Sequence, residues 1–167
     1  MILPIYTEPN PILHQTAQPV EVFTPELEQL VANMRETMKN AKGIGLAAPQ
    51  VGQSIALCVI EMEEDEDGDA LPFLAVFNPR ITWRSTRQAN FVEGCLSLPG
   101  IEGTVRRPER IRVKAKDLQG QPIQIEADGL LARVLQHEID HLSGTLFVSY
   151  LQKNKLHQKD IPDYPRI

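Results

Sequence analysis

His137-Glu138-Ile139-Asp140-His141 sets two imidazoles four residues apart with a carboxylate beside the first. On a helix, at about 100° per residue, positions four apart differ by only about 40° around the axis and one turn along it. Both imidazoles then leave one face, close enough to hold one metal ion. Glu138 projects one position further round, where it can take a proton from water at that ion without occupying a coordination position. A hydrolytic centre of this kind uses three protein ligands and one open position. The third ligand of the usual zinc proteases is missing: the only histidine after His141 is His157, and no Glu follows Glu138. The best remaining candidate is Cys95, within Glu93-Gly94-Cys95-Leu96-Ser97-Leu98-Pro99, where Gly and Pro bracket the thiol in an irregular segment. Coordination would deprotonate that thiol and fix it as a ligand rather than a nucleophile.

A helix must carry this motif. Asp128 can cap it, Gly144 stops it, and Leu131, Leu135, Ile139 and Leu142 form its core stripe. Leu130, Val134, His137 and His141 share the other face, so the imidazoles sit on an apolar, covered surface. An earlier helix starts at Thr24-Pro25-Glu26, with Thr24 as cap and Leu27, Leu30, Val31, Met34 and Met38 as its stripe to about Ala41. Gly43 ends it and opens Gly43-Ile44-Gly45-Leu46-Ala47-Ala48-Pro49-Gln50-Val51-Gly52. Strands are predicted at Ile55 to Glu61 and Phe73 to Asn78. Ile111, Val113 and Ala115 alternate with cations, Asp117-Leu118-Gln119-Gly120 turns, and Ile123 and Ile125 return, which is a hairpin. The pattern predicts one α+β domain over 1–167, with antiparallel or mixed sheets around a central metal-binding helix. Residues 152–167, broken by Pro162 and Pro165, read as a short irregular tail.

With 167 residues, 42% hydrophobic and 23% charged, the chain suits a soluble globular domain with its own core. No apolar run approaches the length of a membrane span, and Met1-Ile2-Leu3-Pro4-Ile5-Tyr6 lacks the basic start of a secretory signal, so it reads as cytoplasmic. The net charge of −5 owes much to Glu61, Glu63, Glu64, Asp65, Glu66, Asp67 and Asp69, read as a solvated loop without Ca²⁺-site spacing. Cys58 lies in an apolar run and is expected to be a core thiol. Two cysteines make no disulfide framework.

Three segments, Gly43-Ile44-Gly45-Leu46-Ala47-Ala48-Pro49-Gln50, Glu93-Gly94-Cys95-Leu96-Ser97 and Gln136-His137-Glu138-Ile139-Asp140-His141, resemble in order the three signature motifs of peptide deformylases. Asn10-Pro11-Ile12-Leu13, Ala17-Gln18-Pro19-Val20 and the approach Glu126-Ala127-Asp128-Gly129-Leu130-Leu131-Ala132 extend the resemblance from near the start to about Tyr150.

The resemblance implies an enzyme that removes the N-formyl group from the formyl-methionine of newly made polypeptides and releases formate. It assigns the metal to Cys95, His137 and His141, with water or hydroxide in the fourth position attacking the formyl carbon. Glu138 would be general base and then proton donor to the amine. Gln50 and the Leu96 backbone N–H would hold the oxyanion. Ile44, Leu130 and Val134 would line the methionine slot, Arg133 would sit at its rim with a solvated head, and Gly45 would admit the peptide backbone. The family uses Fe²⁺, and Zn²⁺, Ni²⁺ or Co²⁺ also suit a thiolate with two imidazoles. The implied partners are formyl-Met nascent peptides, met by a monomer with no direct nucleic-acid or membrane contact. Many bacterial members end in a long basic helix; the short tail here departs from that and puts ribosome docking in question, as in a phage-encoded or minimal member. Two rivals are a zinc peptidase cutting internal bonds and a non-catalytic, metal-stabilised binding module.

Overall fold

Ile55-Ala56-Leu57-Cys58-Val59-Ile60 is apolar at every position, so a strand there must be covered on both faces. The computed structural model, which describes residues 1–151 and 165–167, shows how. The chain runs α1 (Pro25–Asn40), β1 (Gly45–Ala47), β2 (Leu57–Met62), β3 (Leu71–Arg84), β4 (Gln88–Gly94), β5 (Glu102–Pro108), β6 (Arg110–Lys116), β7 (Pro122–Asp128), α2 (Gly129–Leu142) and α3 (Val148–Leu151). Five strands form one sheet in the order β1-β2-β3-β6-β7, and β4-β5 form a second, all paired antiparallel. The fold is α+β.

Alternation along β2 splits the core in two. Cys58 and Ile60 join Val76, Val113, Val134 and Leu135 in the cluster beneath α2. Leu57 and Val59 join Val31, Met34 and Met38 of α1, with Leu46 and Phe77. Cys58 is fully buried, as its surroundings predict, and burial pushes its thiol pKa well up. A third cluster, Leu13, Leu98, Val105, Leu146 and Phe147, closes the end of α2 next to β5. Helix α2 is central: Ala132 through Glu138 are all buried, so its polar residues enter the interior along with its apolar stripe.

The predicted helices and the β6-β7 hairpin are in place, but several details differ. Thr24 and Asp128 hold the cap positions with extended backbone, yet neither side chain caps the helix through a hydrogen bond. The residue that turns the chain after α1 is Lys42, at φ 57, rather than Gly43. Gly43 is small for packing, since a Cβ there would lie 2.8 Å from Leu96 Cδ1. Strand β3 continues well past Asn78 despite Pro79, because irregular register after Phe77 absorbs the proline. Asn78 takes the left-handed φ of 50. Strands β4 and β5 carry no readable alternation because Glu93, Thr104 and Arg107 point inward. They therefore went unpredicted, and Glu93-Gly94 belongs to a strand rather than to the irregular segment.

Of the acidic run, Glu61 lies within β2 and pairs with Arg35, while Glu63 pairs with Lys39. Residues 63–70 are exposed, and Asp65 Oδ1 accepts the Asp67 and Asp69 N–H groups at 3.0 and 2.8 Å. No described helix is long and apolar enough to cross a membrane. Of the expected tail, only residues 165–167 are among those described, and His157 lies outside them.

Asn78 grips the N-terminal segment by donating to Val20 O and accepting from Val20 N–H, each at 2.7 Å. Asn78→Ala removes both bonds while keeping the strained φ, and should lower stability by about 1–3 kcal/mol, as measured by urea unfolding.

Candidate metal centre

Helix α2 projects His137 and His141 from one face, as spacing predicts, and their ring centroids lie 5.1 Å apart. The turn after β4, closed by Leu98 N–H donating to Cys95 O at 2.9 Å, brings Cys95 to the same point. Cys95 Sγ is 3.3 Å from His141 Nε2. One ligand atom from each of Cys95, His137 and His141 lies within 4.8 Å of the others, the one such group found among the described residues. Among the described residues no third imidazole joins it.

The surroundings orient these donors. Glu93 is fully buried and accepts His137 Nδ1–H at 2.7 Å, which leaves His137 Nε2 to face the thiol. Glu93 also accepts two bonds from Arg107, at 2.7 and 2.9 Å, and one from Arg133 at 2.7 Å. Arg107 continues to Asp140 at 2.7 Å, and Asp140 accepts the Tyr150 hydroxyl at 2.8 Å. Burial alone would raise the Glu93 carboxyl, but bonds from Arg107 and His137 hold it far below the usual carboxylate range.

The two histidines are driven apart. Burial opposes charge on His137, yet hydrogen bonding with Cys95 and Glu93 raises it to about 10. Burial drives His141 well down, and the charges of His137 and Arg107 add to this. The field favours one positive charge between the imidazoles, a demand that a cation meets as well as a proton does. The donor set fits a divalent ion: a thiol and two imidazoles, with the buried Glu138 Oε2 and His141 Nδ1 lacking partners among the described residues.

Glu138 stands beside the three donors. Burial pushes its pKa up to about 7, with His137 opposing and Glu93 adding to the rise. Its carboxylate fills the space over Gly45, where a Cβ would sit 2.3 Å from Oε1. Gly45 thus makes room for Glu138. Gln50 is buried in the 3₁₀ turn Ala48–Val51. Its Oε1 accepts Ala47 N–H at 2.9 Å, and Nε2 donates to Ser97 Oγ at 3.1 Å and approaches Cys95 Sγ at 3.6 Å. The amide is therefore fixed with its donors toward the thiol.

These groups form the floor of a cleft of about 940 Å³ lined by Ile44, Gly45, Gln50, Cys95, Leu96, Val134, His137 and Glu138, among others. His141 lies behind them. Leu130 is half-buried against the same core cluster as Val134, outside that lining. Arg133 is not at a solvated rim. It is 2% exposed, spends its charge on Glu93, and donates to Val105 O and Ala89 O at 3.0 and 2.8 Å. Interior countercharge overrides the usual solvation of an arginine head. Sequence reasoning missed Glu93 and Arg107 as supports of the site. Their one signal, a Glu two residues before Cys95, has no meaning until the β4-β5 register is known.

Glu93→Gln leaves two buried guanidiniums without their shared carboxylate. It should cost about 3–5 kcal/mol in urea unfolding and weaken retention of an added divalent metal about 10- to 100-fold by dialysis.

The sequence profile of the polypeptide deformylase family matches residues 2–157. The peptide deformylase of Acinetobacter baumannii (strain SDF) is 47% identical over 154 residues, covering 92% of this chain and 85% of that one. That of Chlorobium phaeovibrioides is 45% identical over 166 residues, covering 98% and 86%. Among solved structures, a Met-Ala-Ser-bound class I type b peptide deformylase from Acinetobacter baumannii superposes with TM-score 0.86 at 35% identity, covering 90% and 98%. A probable peptide deformylase from Synechococcus phage S-SSM7 gives TM-score 0.82 at 42% identity, covering 89% and 99%. This chain is an enzyme of the polypeptide deformylase family.

Proposed function

We propose that the chain hydrolyses the formamide of N-formyl-methionyl peptides, releasing formate, through Glu138, Gln50 and the Leu96 backbone N–H at a centre held by Cys95, His137 and His141. The observation that carries this reading is the convergence of those three donors beside a buried carboxylate, one oxygen of which has no partner among the described residues, at the floor of a cleft that Cys95, His137 and Glu138 line. A bound divalent ion, Fe²⁺ in the cell by family likeness, supplies Lewis acidity that polarises the formyl carbonyl and lowers the pKa of water there.

The chain's own groups perform the rest. Glu138 takes the proton of the attacking water on its free Oε2 and delivers it to the departing amine nitrogen. A base near pKa 7 suits both transfers. Gln50 Nε2, its orientation set by Ala47 and Ser97, donates to the oxygen that becomes an oxyanion. Leu96 N–H, next to Cys95 in the chain, is the second donor. Ile44 and Val134, with Leu130 packed nearby, receive the methionine side chain. Binding of Met-Ala-Ser by the Acinetobacter relative supports a peptide N-terminus in this cleft. The working place is the cytoplasm, on nascent chains, as a monomer. A peptidase is disfavoured because a thiol, and no carboxylate or third imidazole, completes the donor group among the described residues.

The test is formate release from formyl-Met-Ala-Ser by anaerobically purified protein, with metal analysis. Formate without cleavage of the Met-Ala bond supports the reading, and internal cleavage refutes it. Glu138→Gln should lower turnover about 10²- to 10⁴-fold while metal content stays stoichiometric. Gln50→Ala should cost about 10²- to 10³-fold in kcat. Cys95→Ser should lose metal on dialysis, and full retention would place the third ligand elsewhere.

A further inference from the structure

Two strand edges border the cleft. Among the described residues, strand β1 pairs with β2 alone and β4 pairs as a strand with β5 alone, while Gly45 and Gly94 both line the cleft. The remaining edge of β4 is covered at one point. Residues 165–167 run parallel to it in a bridge between Val92 and Arg166. Val92 N–H donates to Pro165 O at 2.8 Å, and Ile167 N–H donates to Val92 O at 3.0 Å. Arg166 also pairs with Glu102 at 2.7 Å, but both side chains are largely exposed and the pair contributes little. The backbone bonds and the Ile167 side chain, which packs with Leu130 against the core cluster containing Val134, hold the segment in place.

This arrangement limits what can add to β4. Groups that point to one edge of a strand recur at every second residue. Both edge groups of Val92 are taken, so among the described residues the next position open to an added strand is Gly94, beside which Ile167 sits. A Cβ on Gly94 would lie 3.9 Å from Ile167 O. Ile167 also lines the cleft, as does Ile101, a large apolar side chain that is 45% exposed. Together they give the outer cleft an apolar patch beyond the catalytic floor, with Glu102 beside it.

We propose that Ile167 is a specificity-determining residue: residues 165–167 cap the β4 edge at Val92, and Ile167 with Ile101 receives an apolar side chain of the peptide beyond the formyl-methionine. The inference rests on the deformylase reading. A peptide entering as an added strand meets paired backbone at Val92 and free backbone at Gly94, so its residues past the first run along Ile167 and Ile101. The preferred substrate is an extended formyl-Met peptide with an apolar second residue.

The experiment compares kcat and KM for formyl-Met-Leu-Ser and formyl-Met-Gly-Ser with the wild-type protein, Ile167→Asp, Ile167→Val and Ile101→Asp. Ile167→Asp and Ile101→Asp should each raise KM for the Leu peptide about tenfold relative to the Gly peptide, the scale of losing one buried apolar contact. Turnover should change less than KM, and Ile167→Val should restore most of the difference. Because the two Asp variants alter different parts of the chain, one remains decisive if the other fails to fold. A Leu-to-Gly KM ratio unchanged in the folded variants overturns the inference while leaving the deformylase reading intact, and so does a loss confined to kcat. Wild-type protein that releases no formate from either peptide overturns the deformylase reading and this inference with it.

Discussion

A carboxylate with no exposure to water needs countercharge, and most of the site is arranged around that need. Glu93 gathers Arg107 from β5, Arg133 from α2 and His137 from α2 onto two oxygen atoms. A lone buried charge would cost several kcal/mol, so the four groups must be brought in together. The small sheet is thereby tied to the central helix by geometry as well as by apolar contact. Through Arg107 and Asp140 the same network reaches Tyr150 in α3, whose ring also lies under the Arg107 guanidinium at 4.6 Å. An imidazole fixed on a carboxylate this well held has one ring nitrogen committed and the other aimed, which a metal ligand requires.

Burial of α2 on every side follows from the same constraint. An amphipathic helix at a surface would leave its polar face in water. Here that face is enclosed by β4, β5 and the turn that carries Cys95, so its polar groups act in a low-dielectric setting. The environment raises Glu138 and separates the two histidines in charge preference. Small residues opposite the helix complete the enclosure. Gly45 gives up a side chain to the Glu138 carboxylate, and Gly43 gives one up to Leu96. Polar groups in such a place are expensive unless satisfied, and two of the three buried ones without partners among the described residues, Glu138 Oε2 and His141 Nδ1, belong to the donor group and its neighbour.

The cleft between β1 and β4 extends this order outward. Its floor carries the buried polar groups, and its outer part carries the apolar Ile101 and Ile167 beside the charged Glu102, with residues 165–167 bonded to the edge of β4. An exposed strand edge is open to unspecific pairing, and covering part of it while leaving Gly94 open restricts where an extended chain can dock.

Much of the site could be read from the amino-acid sequence because its rule is local. Spacing of four on a helix places His137 and His141 on one face whatever surrounds them, and Glu138 falls beside them for the same reason. The apolar runs of α1 and β2 and the alternation of β6 and β7 are equally local, and they appear where periodicity put them. Tertiary structure decided what depends on a partner distant in the chain. Strands β4 and β5 were hidden because their inward residues are charged, and Glu93 faces Arg107 only once those strands pair in register. Arg133, by its own chemistry, belongs in water; a carboxylate forty residues away draws it inside. The edge capped by residues 165–167 is likewise invisible in sequence, since a free strand edge has no residue code and is defined only by what lies beside it.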